Sequence, residues 1–176
     1  MRYVDGPTVE CELHLAADPA TVWELVTDIE LPARFSPELQ RVRWLDDRQG
    51  PTLGARFEGY NHHPALGEWR TISHIVQLDE PRLIGWVVLD PDNRFGGGTA
   101  DPEHPGASWQ FRLTAEDGGC RLSHSVRIGP GRTGLSLIID QAPEQEEEII
   151  ERRTAALREG MTATLHGIRN LAEKPR

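Results

Sequence analysis

A chain of 176 residues, 38% hydrophobic and 27% charged, has the size and balance of one folded domain with a single core and room for an internal cavity. Its formal net charge of −9, from 28 acidic and 19 basic residues, argues against nucleic acid and anionic membrane surfaces as partners, because nothing offsets phosphate repulsion. The polar start MRYVDGPTVE lacks the apolar stretch of a secretory leader, and no run approaches the length of a membrane span. The two cysteines, Cys11 and Cys120, are then expected as reduced thiols in a cytoplasmic protein.

Along the chain, Thr8 to Leu15 alternates Val9, Cys11, Leu13 and Leu15 with polar residues, the period of a half-buried strand. Asp18-Pro19 supplies an N-cap and a first-turn proline for a helix over Ala20 to Thr27, and a second helical turn spans Leu31 to Phe35. Strands follow at Gln40 to Leu45, Ala55 to Asn61, Trp69 to Leu78 and Arg82 to Leu89, with breaks at Gln49-Gly50-Pro51 and Asp79-Glu80-Pro81. His62-His63 is expected in a surface loop. Residues 90–106, rich in Gly, Pro and Asp, form a loop that reads as an entrance lid around Phe95-Gly96-Gly97-Gly98. Ser108 to Ala115 and Cys120 to Ile128 flank Asp117-Gly118-Gly119 and form a hairpin.

Leu135 to Ile139 is ambiguous between strand and helix. The stretch from Glu144 to Leu171 is a long helix with Ile150, Leu157, Met161, Thr164, Ile168 and Leu171 as its apolar stripe, and glutamates where the helix dipole favours them. Hairpin-linked strands imply an antiparallel sheet, and a lone long helix must bury its stripe against it. The fold class is therefore α+β, a single domain over residues 1–176. A twisted sheet that grips a helix leaves a hollow between the two.

The run Ala17-Asp18-Pro19-Ala20-Thr21-Val22-Trp23-Glu24-Leu25-Val26-Thr27-Asp28 resembles the opening helix of the polyketide cyclase/dehydrase and START-like superfamily. This is the birch-pollen-allergen-like or helix-grip group. Leu31 to Leu39 is similar to its second helix, and Gly54-Ala55-Arg56-Phe57 and the Glu80 to Trp86 hairpin match its strands. The resemblance runs from about Thr8 to Leu171. It implies a curved seven-stranded antiparallel sheet around a long C-terminal helix, with two short helices after the first strand. It also implies a cavity for a hydrophobic small molecule. It does not imply catalysis, because carriers, receptors and cyclases share this scaffold.

Candidate site residues come from strand parity. Ile72, His74, Val76 and Leu78 share one row, and Leu122, His124, Val126 and Ile128 another, which places His74 and His124 among apolar neighbours. Either imidazole could hydrogen-bond a ligand or shuttle a proton. The commoner arrangement is a histidine satisfied by a neighbouring group at the end of a sheet. Asn61, in the row of Phe57, and Arg153, beside the helical stripe, could each orient a ligand, although Arg153 also reads as a snorkelling side chain. Trp44, Trp86, Trp109, Phe111 and Phe57, with Leu157 and Met161 from the helix, are candidate walls.

No metal site, cofactor motif, nucleophile elbow or paired catalytic carboxylate is expected. The leading reading is a carrier or sensor of a hydrophobic, lipid- or polyketide-like metabolite. Alternatives are an aromatase/cyclase or dehydrase and a protein-partner module. Homodimerisation is left open.

Overall fold

The computed structural model describes residues 1–47 and 50–174, so the break expected at 49–51 falls partly outside the described residues. The chain opens with a 3-10 turn at Tyr3–Asp5 that no sequence pattern announced. It enters β1 (Thr8–Leu15) and then α1 (Pro19–Val26). Asp18 caps α1 by accepting from the Thr21 N–H at 3.0 Å and the Thr21 hydroxyl at 2.7 Å, with Pro19 in the first turn as its fixed φ favours. A 3-10 turn at Leu31–Arg34 carries the chain to β2 (Leu39–Trp44). Next come β3 (Arg56–His63), β4 (Gly67–Asp79), β5 (Leu83–Leu89), β6 (Ala107–Glu116) and β7 (Gly119–Ile128).

The seven strands form one antiparallel sheet in the order β1-β7-β6-β5-β4-β3-β2. Only the β1–β2 connection crosses over, so α1 and the 3-10 turn span the sheet from one edge to the other. Gly118, with φ +76°, makes the two-residue link between β6 and β7, a conformation glycine adopts without a Cβ penalty.

The ambiguous run after β7 is a helix, α2 (Gly134–Gln141). Thr133 caps it by accepting from the Leu135 N–H at 3.2 Å, and Ser136 returns a bond from the Thr133 N–H at 3.1 Å. The long helix is α3 (Glu146–Ala172), 27 residues and about 40 Å at the usual rise. Its N-terminal glutamates also tie down the start of the chain: Glu146 accepts from the Tyr3 N–H and Glu147 from the terminal ammonium. No helix among the described residues is long and apolar enough to cross a membrane.

Burial along α3 is uneven, and that positions the site. Its C-terminal half packs Leu165 and Ile168 into the main core with Leu15, Val22, Trp23, Phe111 and Leu122. Its N-terminal end packs Ile149 and Ile150 against Ile128 and Leu135. Between these plugs the helix presents Leu157, Gly160 and Met161 to the sheet, and at Gly160, which has no side chain, the space under the curved sheet is left unfilled. The hollow expected from the architecture lies there.

Two strand expectations need correction. His62 and His63 belong to β3, which continues through a hairpin into β4, rather than to a loop. In β4 the register slips between Ile75 and Gln77, a bulge that leaves Val76 46% exposed. A single period of two cannot run through a bulge. Leu78 packs on the core, but before the bulge the inward row is Thr71, Ser73 and Ile75, so Ile72 and His74 face outward.

Candidate functional site

One cavity of about 340 Å3 lies between the sheet and the middle of α3. That volume is at the lower end of the range for small-molecule sites. Its sheet wall follows from register. Val126, Trp109, Trp86 and Ile75 sit side by side across four strands, and the neighbouring row holds His124, Phe111 and Ile84. Trp86 and Trp109 lie nearly parallel, with centroids 6.4 Å apart and planes within 7°. Phe57 meets Trp86 edge-on at 6.2 Å, and Phe111 sits 5.8 Å from Trp86. The result is a continuous aromatic surface facing Leu157 and Met161.

Set into that surface is His124, 5% exposed. Its ring stacks on Phe111 at 4.0 Å and lies 5.2 Å from Trp109. Neither ring nitrogen has a hydrogen-bond partner among the described residues. The histidine satisfied by a neighbour is therefore not what the fold builds. Burial alone pushes its pKa down to about 3, so the imidazole is neutral at physiological pH.

The other sequence candidates divide plainly. Asn61, Phe57, Trp86, Trp109, Phe111, Leu157, Met161 and Arg153 line the cavity together with His124. His74 does not. It sits on the outer face opposite Arg56, where burial and then the Arg56 charge lower its pKa. Trp44 has the inward parity but lies outside the cavity: Phe57, 5.7 Å away and edge-on, stands beside it, and Trp44 packs on the main core.

Several lining residues carry no local sequence signal, Ser73 and Glu38 among them. Ser73, 3% exposed, is on the inner row that the bulge concealed. Glu38, just before β2, forms a forked ion pair with Arg153: Nη1 pairs with Oε1, and Nη2 donates to Oε2 at 3.1 Å. No local pattern signals a pair this far apart in sequence. Phe95, 5% exposed, lies in the loop expected as a lid and lines the cavity edge-on to Trp69 at 6.2 Å. Its signal in the sequence is a lone bulky aromatic in a Gly-rich loop.

The segment around Phe95 is held at several points. The Phe95 N–H donates to Asp90 at 2.8 Å, its carbonyl accepts from Arg132 Nε at 2.8 Å, and Arg94 donates to the Leu66 carbonyl. Arg70 pairs with Asp92 on the outer face. Arg70 also reaches Glu58, a carboxylate only 2% exposed that accepts from Arg70 at 3.0 Å, Arg43 at 2.6 Å and Tyr60 at 2.9 Å. Burial works to raise the Glu58 pKa, but these bonds outweigh it and hold the carboxyl below its ordinary value. This cluster braces the sheet behind the cavity wall.

A seven-stranded antiparallel sheet gripping a long C-terminal helix over an apolar cavity defines the helix-grip class. Within that class the chain belongs to the polyketide cyclase/dehydrase and lipid transport family, whose model matches residues 7–173. Among solved structures it is similar to the polyketide-cyclase-like protein Cgl2372 from Corynebacterium glutamicum. That likeness has 28% identity and a TM-score of 0.63, covering 94% of this chain and 91% of that one. The Zhui aromatase/cyclase from Streptomyces sp. R1128 shares the fold at 20% identity and TM-score 0.62, covering 95% and 93%. So does the two-domain aromatase/cyclase BexL of the BE-7585A biosynthetic pathway, at 17% identity and TM-score 0.68, with 99% of this chain matching 52% of that one. Comparison with curated proteins returns no match.

Proposed function

We propose that this protein binds a small hydrophobic metabolite in the cavity between sheet and α3, as a carrier or sensor, and that a hydrogen-bonding group of the ligand meets His124. The observation that carries this reading is the imidazole without a partner in an otherwise aromatic wall. Leaving a buried polar group unpaired costs about 1–3 kcal/mol, so a bound hydroxyl or carbonyl that bonds the ring recovers that cost. Apolar burial against Trp86, Trp109, Phe111 and Leu157 supplies the rest of the affinity.

The protonation state favours binding over acid catalysis. With its pKa pushed down to about 3 by burial, His124 is neutral at pH 7. A neutral imidazole orients a ligand well and delivers a proton poorly. The likeness to the Zhui and BexL aromatase/cyclases and the polyketide cyclase/dehydrase family support a second reading in which the aromatic wall folds a polyketide-like chain for ring closure or dehydration. That reading needs an acid–base pair converging on the substrate, and turnover of a polyketide-like compound would decide for it.

The test is a thermal-shift screen of lipids and polyphenols, followed by titration of the hits into wild type and His124→Phe. Hits that bind wild type and weaken in the variant support the proposal. Equal affinity for both proteins removes His124 from the site.

A further inference from the structure

Besides His124, six charged or titratable side chains among the described residues line the cavity: Asp28, Glu38, His63, Asp90, Arg132 and Arg153. Four of them have local tasks. Asp28 accepts from the Glu30 N–H at 3.0 Å, and His63 Nδ1 from the Ala65 N–H at 3.1 Å. Asp90 accepts from the N–H groups of Asp92 and Phe95, and Arg132 holds the Phe95 carbonyl and Asp140. The Arg153–Glu38 pair is different. It joins the middle of α3 to the segment before β2, both members face the cavity, and neither side chain has another hydrogen-bond partner among the described residues. Both are partly exposed, Arg153 by 31% and Glu38 by 23%.

We infer that Arg153 is the binding residue for a ligand carboxylate, and that Glu38 is a built-in stand-in which the ligand displaces. This rests on the proposed cavity function and gives the ligand its class: an elongated amphipathic monocarboxylate with an apolar body. The fork that Arg153 presents to Glu38, one N–H from each terminal nitrogen onto two oxygens, is the geometry a guanidinium offers to any carboxylate. A ligand carboxylate replaces it bond for bond. Because Glu38 has no other side-chain partner among the described residues, it can swing to solvent without breaking anything else. An alcohol or ester cannot occupy the fork as an anion, and it leaves the existing pair in competition.

The rest of the ligand has a defined course. Arg153 and Met161 are eight residues apart on α3, about 12 Å along the axis. Met161 packs on Val126, two residues from His124 in β7. A chain anchored at Arg153 therefore runs past Leu157 along the aromatic wall and brings its far end to the imidazole.

The experiment is isothermal titration of dodecanoate and 1-dodecanol, below their aggregation limits, into wild type, Glu38→Gln and the double variant Glu38→Gln/Arg153→Gln. Because the ligand carboxylate displaces a pair of the same kind, wild type is expected to bind the two ligands within a few-fold of each other. Glu38→Gln, which frees the fork, should tighten dodecanoate by about tenfold, the effect of one charge-assisted hydrogen-bonded pair, and leave dodecanol unchanged; adding Arg153→Gln should abolish that gain. Should the double variant not fold, the Glu38→Gln arm decides alone. Dodecanoate affinity unchanged in Glu38→Gln, or a gain that survives Arg153→Gln, overturns the inference while the hydrophobic cavity stands. Failure of these ligands and of every compound in the lipid and polyphenol panel removes both.

Discussion

Replacing His124 by Phe should move stability and affinity in opposite directions. The ring fits a Phe-sized space: it is 5% exposed, stacks on Phe111 at 4.0 Å, and has two nitrogens without partners among the described residues. Phenylalanine keeps the stacking and removes the desolvated polar atoms, so the ligand-free variant should gain about 1–3 kcal/mol at pH 7.5. For a chain of this length that is a rise in Tm of about 2–10 °C.

The gain should grow in acid. The folded pKa of about 3 lies below the ordinary value of 6.5, so below pH 6.5 the unfolded chain binds a proton that the folded one refuses. The stability this contributes to wild type is fully present above pH 6.5 and is lost as pH falls toward 3, at about 1.4 kcal/mol per pH unit. Phenylalanine has no such loss, so the gap between the proteins should widen from pH 6.5 to 4.5. Urea unfolding at pH 7.5, 6 and 5 measures both effects. A variant less stable than wild type by more than about 1 kcal/mol at pH 7.5, or a gap that ignores pH, would refute the reasoning.

Four further outcomes follow from the geometry. His74→Phe should leave ligand affinity within twofold, since the side chain faces outward; a large loss in a titration would return it to the site. Phe95→Ala should cost about 3 kcal/mol by opening a cavity under the β5–β6 loop and should speed tryptic cleavage at Arg94, read by gel and mass spectrometry. A Cβ on Gly134 would lie 2.4 Å from Leu66 Cδ1 and 3.4 Å from Phe95 Cε1, so Gly134→Ala should push these two apart and raise the ligand exchange rate in stopped flow. Glu58→Gln should lower stability by about 2 kcal/mol at pH 7. Because the Glu58 pKa is depressed, its contribution is present above the ordinary carboxylate range and lost as pH falls through the folded pKa, so urea midpoints of variant and wild type should converge in acid.

Much of this architecture is written in local chemistry. Asp18-Pro19 caps the helix it announces, the Asp117-Gly118 turn joins the strands it should, and the helical stripe through Met161 and Ile168 faces the core. β7 runs without interruption, so one period of two orients the whole strand and sets His124 on the inner face. His74 faces outward, because β4 carries a bulge at Val76 and parity read back from Leu78 names the wrong row. Trp44 shows a different limit: period assigns a face, but which residue on that face meets empty space depends on its neighbours, here Phe57. The Glu38–Arg153 pair and the buried Glu58 were invisible for a third reason. Each depends on partners from other strands or from α3, and a lone glutamate on the polar side of a strand reads as solvated.

The central claim is that the hollow under α3 holds a small molecule. Native mass spectrometry of protein purified from its own host tests it most directly, with Leu157→Trp, which enlarges a side chain of the cavity's helix wall, as the comparison. The account predicts a noncovalent low-mass adduct on wild type that is absent from the variant. A wild-type protein that is empty, and whose Tm ignores a panel of lipids, polyphenols and fatty acids, would contradict it.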